Sequence, residues 1–263
     1  TDVARKIVEN IECSSLNKHA IISQLDELKP EYTTNIWDGI QTSLDILKDT
    51  SPPCRQKNIF LLTDGIPNIV PPRGHETMLT RYFQQGFKCP ITTFGFGYNL
   101  DSVLLNNISN ISGGDGFSYI PDSSLLGNVF IHGISNFFTN AVSFPNMNIK
   151  LLKGLRFMDG TTEKNIIINS LKYGQDKNVM FDIDTSFRTR DTTTNFAEVS
   201  LDINGKVIII SDNPIPDINH YNEQIYRNKL INCINDCTEF QRRRDSENVK
   251  TTLNTLIQEI KTN

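Results

Sequence analysis

Two short segments of this chain place oxygen-bearing side chains where an α/β sheet usually binds its ligands. The apolar run Ile59–Leu62 leads into Thr63, Asp64 and a glycine, and upstream of it Thr34 stands at the start of an amphipathic helical segment. An apolar run of this kind predicts a buried parallel strand, and ligands in open α/β sheets bind beyond the carboxyl ends of such strands. We therefore expect the Asp64 carboxylate and the Thr34 hydroxyl at one edge of a sheet.

Motifs for catalysis are missing from the sequence. Residues 62–65 are similar to the nucleophile loop of haloacid-dehalogenase-type phosphatases, but that loop needs Asp-x-Asp-Gly and position 62 is Leu. The chain has no Gly-x-x-x-x-Gly-Lys loop, no Gly-x-Ser-x-Gly elbow and no His-Glu-x-x-His motif, and its four histidines are scattered. These observations predict that the chain is not an enzyme.

Strands and helical periods alternate from about residue 3 to residue 142. Apolar residues at Ile36, Ile40, Leu44 and Leu47 form the stripe of a helix that packs on a sheet. The predicted strands cover residues 3–11, 57–63, 91–97 and 116–120, and the predicted helices cover 35–48, 76–85, 101–111 and 125–138. Such alternation favours a Rossmann-like, doubly wound α/β sheet whose strands are mainly parallel.

The pattern changes near Pro145. Five β-like segments follow without a long helix, at residues 148–155, 165–171, 177–184, 198–203 and 206–211. They predict a small antiparallel β-sandwich. The helical period returns after Pro216 and predicts a C-terminal helical hairpin. We therefore expect three domains, at residues 1–142, 143–215 and 216–263.

The motifs of the first part follow one another in the order and spacing of a known family. They are the segments 34–40 (Thr-Asn-Ile-Trp-Asp-Gly-Ile), 61–68 (Leu-Leu-Thr-Asp-Gly-Ile-Pro-Asn) and 93–97 (Thr-Phe-Gly-Phe-Gly). In them the chain resembles a von Willebrand factor type A (vWA) domain. The β-rich and helical parts resemble the tail of intracellular vWA proteins, among them the vWA-Hint proteins. The family's first metal-binding motif, Asp-x-Ser-x-Ser, occurs nowhere in the 263 residues.

The resemblance implies an incomplete metal-ion-dependent adhesion site. In the family, two serines of the first motif and a threonine of the second bind a divalent cation, and Mg²⁺ requires six oxygens in near-ideal geometry. Only Thr34 and Asp64 match these positions, so we expect no cofactor for this chain alone. Mg²⁺ becomes possible if an upstream Asp-x-Ser-x-Ser segment is supplied. The residues alone leave other roles open: Thr34 can cap the helix, and Asp64 can accept hydrogen bonds from loop amides.

Composition limits the partners that we expect. The net charge of -4 and the dispersed basic residues disfavour nucleic acid, and the apolar runs are too short to cross a bilayer. Five cysteines without metal-ligand spacing favour a reducing, intracellular compartment. We predict a protein-interaction or scaffold module in the cytoplasm. The alternative is a structural or assembly component of a large particle such as a virion.

The spacing between the predicted strand 3–11 and Thr34 indicates which strands of the family fold this chain contains. If the predicted strand 3–11 is the family's third strand, then the family's first strand, first helix and second strand have no counterpart in this chain. The strand at 59–63 would have one bare edge, and bare edges invite pairing with other strands. We therefore expect an upstream segment or a second chain to complete the sheet.

Overall fold

A computed structural model describes residues 2–8, 11–29, 33–50, 56–187, 196–203, 205–210 and 218–262. The helices are α1 (Ser15–Asp26), α2 (Ile36–Asp49), α3 (His75–Gln84), α4 (Ser102–Ser112), α5 (Leu126–Phe138), α6 (Ile218–Arg242) and α7 (Ser246–Thr262). The strands are β1 (Ile59–Thr63), β2 (Ile91–Phe96), β3 (Phe117–Ile120), β4 (Asn140–Ser143), β5 (Asn146–Leu151), β6 (Arg156–Phe157), β7 (Glu163–Ile167), β8 (Ser170–Lys172), β9 (Ile183–Asp184), β10 (Ala197–Ile203) and β11 (Lys206–Ile210).

The first three strands form a parallel sheet in the order β1-β2-β3. The register of β1 on β2 runs from Ile59 opposite Ile91 to Thr63 opposite Gly95. Helices separate the strands along the chain, because parallel neighbours need a crossover connection of a dozen or more residues. The predicted α/β fold with a mainly parallel sheet is confirmed.

Apolar side chains cover this sheet from both faces. Helices α2, α3 and α4 share one buried cluster with Ile59 and Ile91, and the fully buried Leu44, Leu79 and Ile108 are part of it. On the other face, the Phe94 ring stacks on Phe130 of α5 at 4.9 Å between ring centroids. The predicted amphipathic stripe of α2 is confirmed, because Ile36, Ile40 and Leu44 are all buried.

The N-terminal prediction is wrong. We expected a strand over residues 3–11, but residues 2–8 and Ile11 form no strand. The Ala4 amide instead donates a hydrogen bond to the Asp38 carboxylate, and Asn35 Nδ2 donates to the Asp2 carbonyl at 2.8 Å. These bonds hold the segment against the start of α2, so these backbone groups of Asp2 and Ala4 are not available for strand pairing. Helix α1 follows, although the sequence analysis assigned no element there.

The β-rich part contains several small sheets. One has four strands in the order β11-β10-β5-β7, and β4–β8 and β6–β9 are antiparallel pairs. The expected antiparallel pairing is confirmed in these two pairs, and the sandwich arrangement stays a prediction. The predicted strand 177–184 is wrong in extent: only Ile183 and Asp184 form a paired strand, and their partner β6 also has two residues.

The chain consists of two compact units. The first comprises residues 1–148, 165–175 and 201–208, and it contains the parallel sheet with its helices. The second comprises residues 149–164, 176–200 and 209–263. In the second unit, α6 and α7 form the expected helical hairpin, in which Cys233 and Leu256 are buried. None of the described helices combines the length and the apolar character needed to traverse a bilayer.

Candidate functional site

The candidate site lies at the carboxyl edge of the parallel sheet and is built first by the start of α2. Asn35 is the N-cap of this helix, and its side-chain oxygen accepts a hydrogen bond from the Asp38 amide at 3.1 Å. Asp38 occupies the first turn, where its negative charge is favourable near the positive end of the helix dipole. The cap is therefore Asn35, and the alternative of a capping role for Thr34 is wrong.

Thr34 joins this helix start to the loop that follows Asp64. Its amide donates to Asn68 Oδ1 at 2.8 Å, and its carbonyl accepts from the amides of Asn68 at 3.2 Å and Ile69 at 3.3 Å. Three hydrogen bonds thus hold the two predicted segments side by side, although 30 residues separate Thr34 from Asp64 in the sequence. The structure brings both motifs to the same edge of the sheet.

Thr63 and Asp64 mark the end of β1. Thr63 is buried, and its hydroxyl accepts a hydrogen bond from the Gly65 amide at 3.3 Å, which shapes the turn out of the strand. Asp64 is exposed, and its carboxylate has no hydrogen-bond partner among the described residues. The alternative role for Asp64, as an acceptor for loop amides, is therefore not seen. The Thr34 hydroxyl is likewise without a partner in the described part of the chain.

Asp38 has a second role that the sequence did not indicate. Its carboxylate is the acceptor for the Ala4 amide, as described above, and so it anchors the N-terminal segment beside the candidate site. A carboxylate used in this way is engaged with the protein itself. An aspartate in the first turn of a predicted helix indicates a role at the helix start. The hydrogen bond to a residue 34 positions away cannot be predicted from the local sequence pattern.

The surface around the edge combines apolar and aromatic side chains with the polar groups. Ile66 and Val70 in the loop after Asp64 are exposed, as are Tyr98 after β2 and Tyr119 in β3. The rings of Tyr98 and Tyr119 lie 6.4 Å apart between centroids. Exposed tyrosines beside apolar side chains are typical of protein-binding surfaces. The edge therefore presents a surface suited to a protein partner.

His75 at the start of α3 adds an unusual buried group near this edge. Its side chain is 5% exposed, and Nε2 has no hydrogen-bond partner among the described residues. Burial lowers the pKa of His75 below its ordinary value of 6.5, and the nearby carboxylates of Asp101 and Glu76 oppose this shift only in part. Burial therefore favours the neutral form of this imidazole.

The described residues fall short of what a divalent cation needs. Thr34 and Asp64 offer two free side-chain groups, whereas Mg²⁺ takes six oxygens in octahedral geometry. No group of three or more His, Cys, Asp or Glu side chains in the described ranges could hold a metal ion. Further ligands would have to come from another segment or from a partner, so the conditional assignment of Thr34 and Asp64 stays a prediction.

In open parallel α/β sheets, ligands bind beyond the carboxyl ends of the strands, which is the edge where Thr34 and Asp64 lie. Comparison of the sequence with family models and with curated proteins gives no match. Solved structures identify the particular fold. A von Willebrand factor type A protein from Catenulispora acidiphila is similar over 92% of this chain, with a TM-score of 0.71 and 12% sequence identity. The chain therefore has the vWA fold that its motifs predict.

The chain spans only part of the proteins to which it is similar. It covers 64% of the Catenulispora acidiphila structure. The ArnB paralog VWA2 from Sulfolobus acidocaldarius is 19% identical, with a TM-score of 0.44 over 88% of this chain and 62% of that chain.

Proposed function

We propose that this chain is a non-enzymatic protein-interaction or scaffold module of vWA type. The observation that carries the proposal is the pair of uncommitted groups at the carboxyl edge, the Thr34 hydroxyl and the Asp64 carboxylate, held together by the bonds of the Thr34 backbone. The fold alone does not define a function, because function resides in the sites on it. The exposed Tyr98 and Ile66 beside these oxygens favour a protein as the ligand.

A partner strand completes the sheet in this proposal. Strand β1 pairs with β2 on one side, and no strand of the described residues lies on its other side. Leu62 in this strand is 50% exposed, although parallel strands are usually covered on both faces. The partner, an upstream segment or a second chain, would add a strand to this free edge. Main-chain hydrogen bonds would supply the affinity and apolar side chains the specificity.

We propose Mg²⁺ binding only for the complex with such a partner. Thr34 and Asp64 would supply two of its ligands, and a segment carrying further hydroxyl or carboxylate groups would supply others. A cation held in this way would strengthen the contact between module and partner. No feature of the described residues favours the particle-component alternative over this one.

The free edge of β1 can be tested by photo-crosslinking in the cells that produce the protein. A benzophenone amino acid replaces Leu62, and in a matched control it replaces Leu16, which is 90% exposed on α1. We expect position 62 to give a discrete crosslink to one protein segment and position 16 to give none. Mass spectrometry of the product identifies that segment.

A charge at the edge provides the second arm of the test. Leu62→Lys places an ammonium group on the free edge, and charged side chains on edge strands oppose strand pairing. In protein without the crosslinker, we expect this substitution to reduce co-purification of the partner that the crosslink identified by about tenfold, a loss of about 1.4 kcal/mol, whereas Leu16→Lys leaves it unchanged. Equal crosslinking at positions 62 and 16, or capture that Leu62→Lys does not affect, would overturn the proposal.

A further inference from the structure

Two cysteines of the C-terminal hairpin face the interface between its helices. Cys233 and Cys237 lie four residues apart on α6, and residues at this spacing are neighbours on one side of a helix. The Cys233 Sγ lies 3.9 Å from the Thr252 carbonyl oxygen of α7, and the Cys237 Sγ lies 3.8 Å from the Val249 carbonyl oxygen. Both thiols therefore lie against the same side of α7.

The two thiols are also close to each other. Desolvation raises the pKa of the Cys237 thiol above its ordinary value of 9.0, and a hydrogen bond with Cys233 raises it further. Such a bond requires the two sulfur atoms to be neighbours. Cys233 is 5% exposed, whereas Cys237 is only partly buried, so a small ligand can reach the pair from the Cys237 side.

A disulfide does not fit this arrangement. Cβ atoms four residues apart on a helix are about 5–6 Å from each other, whereas a disulfide needs about 3.5–4.5 Å. Cys233 and Cys237 are accordingly free thiols. An ion between the two sulfurs spans a wider gap, because two sulfur–metal bonds replace one sulfur–sulfur bond.

The number of available ligands limits the choice of ion. Thiolate ligands favour Cu⁺, Zn²⁺ and iron–sulfur clusters, and structural zinc and iron–sulfur sites take four ligands. Within the described ranges, no group of three or more His, Cys, Asp or Glu side chains could hold an ion. Cu⁺ differs from the other two because two sulfur ligands in a linear arrangement satisfy it.

We infer that Cys233 and Cys237 bind one Cu⁺ ion through their two sulfur atoms. The thiolate is the form that binds a metal, so each cysteine releases one proton when the ion enters. Two thiolates and one Cu⁺ leave a single negative charge on the complex. The contacts of the two thiols with the α7 carbonyls are exchanged for the bonds to the metal.

The hairpin holds the pair ready for the ion. Lys229, one turn before Cys233, forms an ion pair with Glu259 of α7, and Leu256 of α7 is buried. These contacts fix the register of α6 on α7. The two sulfurs therefore need only small side-chain rotations to meet one ion.

Anaerobic competition with bicinchoninate, a chelator of Cu⁺, tests the site in the full chain. The parent protein carries Cys13→Ser and Cys54→Ser, which remove an exposed thiol and one that lies outside the described residues. We expect it to bind one Cu⁺ per chain. Cys237→Ser should weaken binding by about a hundredfold or more, because linked ligands act at a high effective concentration. Unchanged affinity of this variant would overturn the inference.

A shifted cysteine provides the matched control. Cys237→Ser combined with Thr238→Cys keeps the number of thiols and places the second one at an exposed position of α6. We expect this variant to bind Cu⁺ as weakly as Cys237→Ser alone. Affinity equal to that of the parent would show that the spacing of the two cysteines is irrelevant, and would contradict the site.

X-ray absorption by the Cu⁺-loaded parent tests the ligands without relying on the folding of any variant. We expect two sulfurs in the first coordination shell and no change of molecular mass in light scattering when the ion is added. Nitrogen or oxygen ligands, or a dimer that forms on loading, would overturn the inference.

Discussion

Single side chains decide which oxygens at the carboxyl edge are free to bind. Thr34 and Asn35 are adjacent and both belong to residue types that cap helices well, so the sequence does not reveal which one does so. The structure assigns the cap to Asn35 and the anchoring of Ala4 to Asp38. Thr34 and Asp64 keep their side chains uncommitted. The two residues of the proposed site are therefore not used in these contacts.

His75 gives a prediction about acid stability. Its pKa in the folded protein lies below the ordinary 6.5 because burial disfavours the charged ring, so the unfolded chain takes up a proton at a higher pH than the folded one. The contribution of His75 to the free energy of unfolding is therefore at its maximum above pH 6.5. Below pH 6.5 the free energy of unfolding decreases as the pH decreases, by up to about 1.4 kcal/mol per pH unit from this one group. Urea unfolding at a series of pH values measures this slope.

A glutamine at position 75 removes the titration and keeps a polar side chain. We expect His75→Gln to flatten the slope between pH 6.5 and the lower pKa of the folded state. His132→Gln is the matched control, because His132 lies exposed on α5. The prediction fails if His75→Gln keeps the slope of the parent protein.

Helix α5 approaches the sheet closely because of one glycine. A Cβ atom built on Gly133 would lie 2.9 Å from the Phe94 ring, whereas one built on Gly127 in the same helix would have open space. Phe94 is fully buried between Phe60 and Phe130, so its ring cannot easily move aside. The small residue thus sets the distance between helix and sheet.

These two glycines predict opposite effects of alanine. Gly133→Ala should destabilise the protein by about 1–3 kcal/mol, since it forces the packed ring or the helix to shift. Gly127→Ala should stabilise it by up to about 1 kcal/mol, since alanine favours the helix. Thermal and chemical unfolding of the two variants provide the measurement. A stabilised Gly133→Ala protein would show that α5 does not rest on Phe94.

Elements that depend on a distant partner are the ones that the sequence pattern predicted least well. Residues 177–184 alternate in the manner of a strand, but only the last two find a partner, in β6. Helix α1 begins at a capping serine, Ser14, whose hydroxyl accepts from the Asn17 amide at 3.3 Å. That local signal could have revealed the helix. No residue of α1 is buried, so its apolar pattern carries little information.

The molecule as a whole determines whether the site can hold a metal ion. Two uncommitted side-chain groups leave an octahedral cation far from saturated, so we expect the isolated chain of 263 residues to bind Mg²⁺ negligibly at millimolar concentration. A ligand that binds the folded state raises the unfolding temperature. Differential scanning fluorimetry with Mg²⁺, and with EDTA as the control, should give equal midpoints. A rise with Mg²⁺ that the double variant Thr34→Ala, Asp64→Ala abolishes would contradict the prediction.

The alternation of apolar runs and helical periods was enough to predict the α/β class, the parallel strands and the C-terminal helices, because burial imposes a fixed period on each element. The motif order was enough to predict the vWA fold and to place Thr34 and Asp64 at one edge. Only the tertiary structure showed that Asp2 and Ala4 bond to Asn35 and Asp38 at the start of α2, and that no strand of the described residues pairs with the second edge of β1. These features depend on contacts between residues far apart in the chain, and such contacts leave no periodic trace in the sequence.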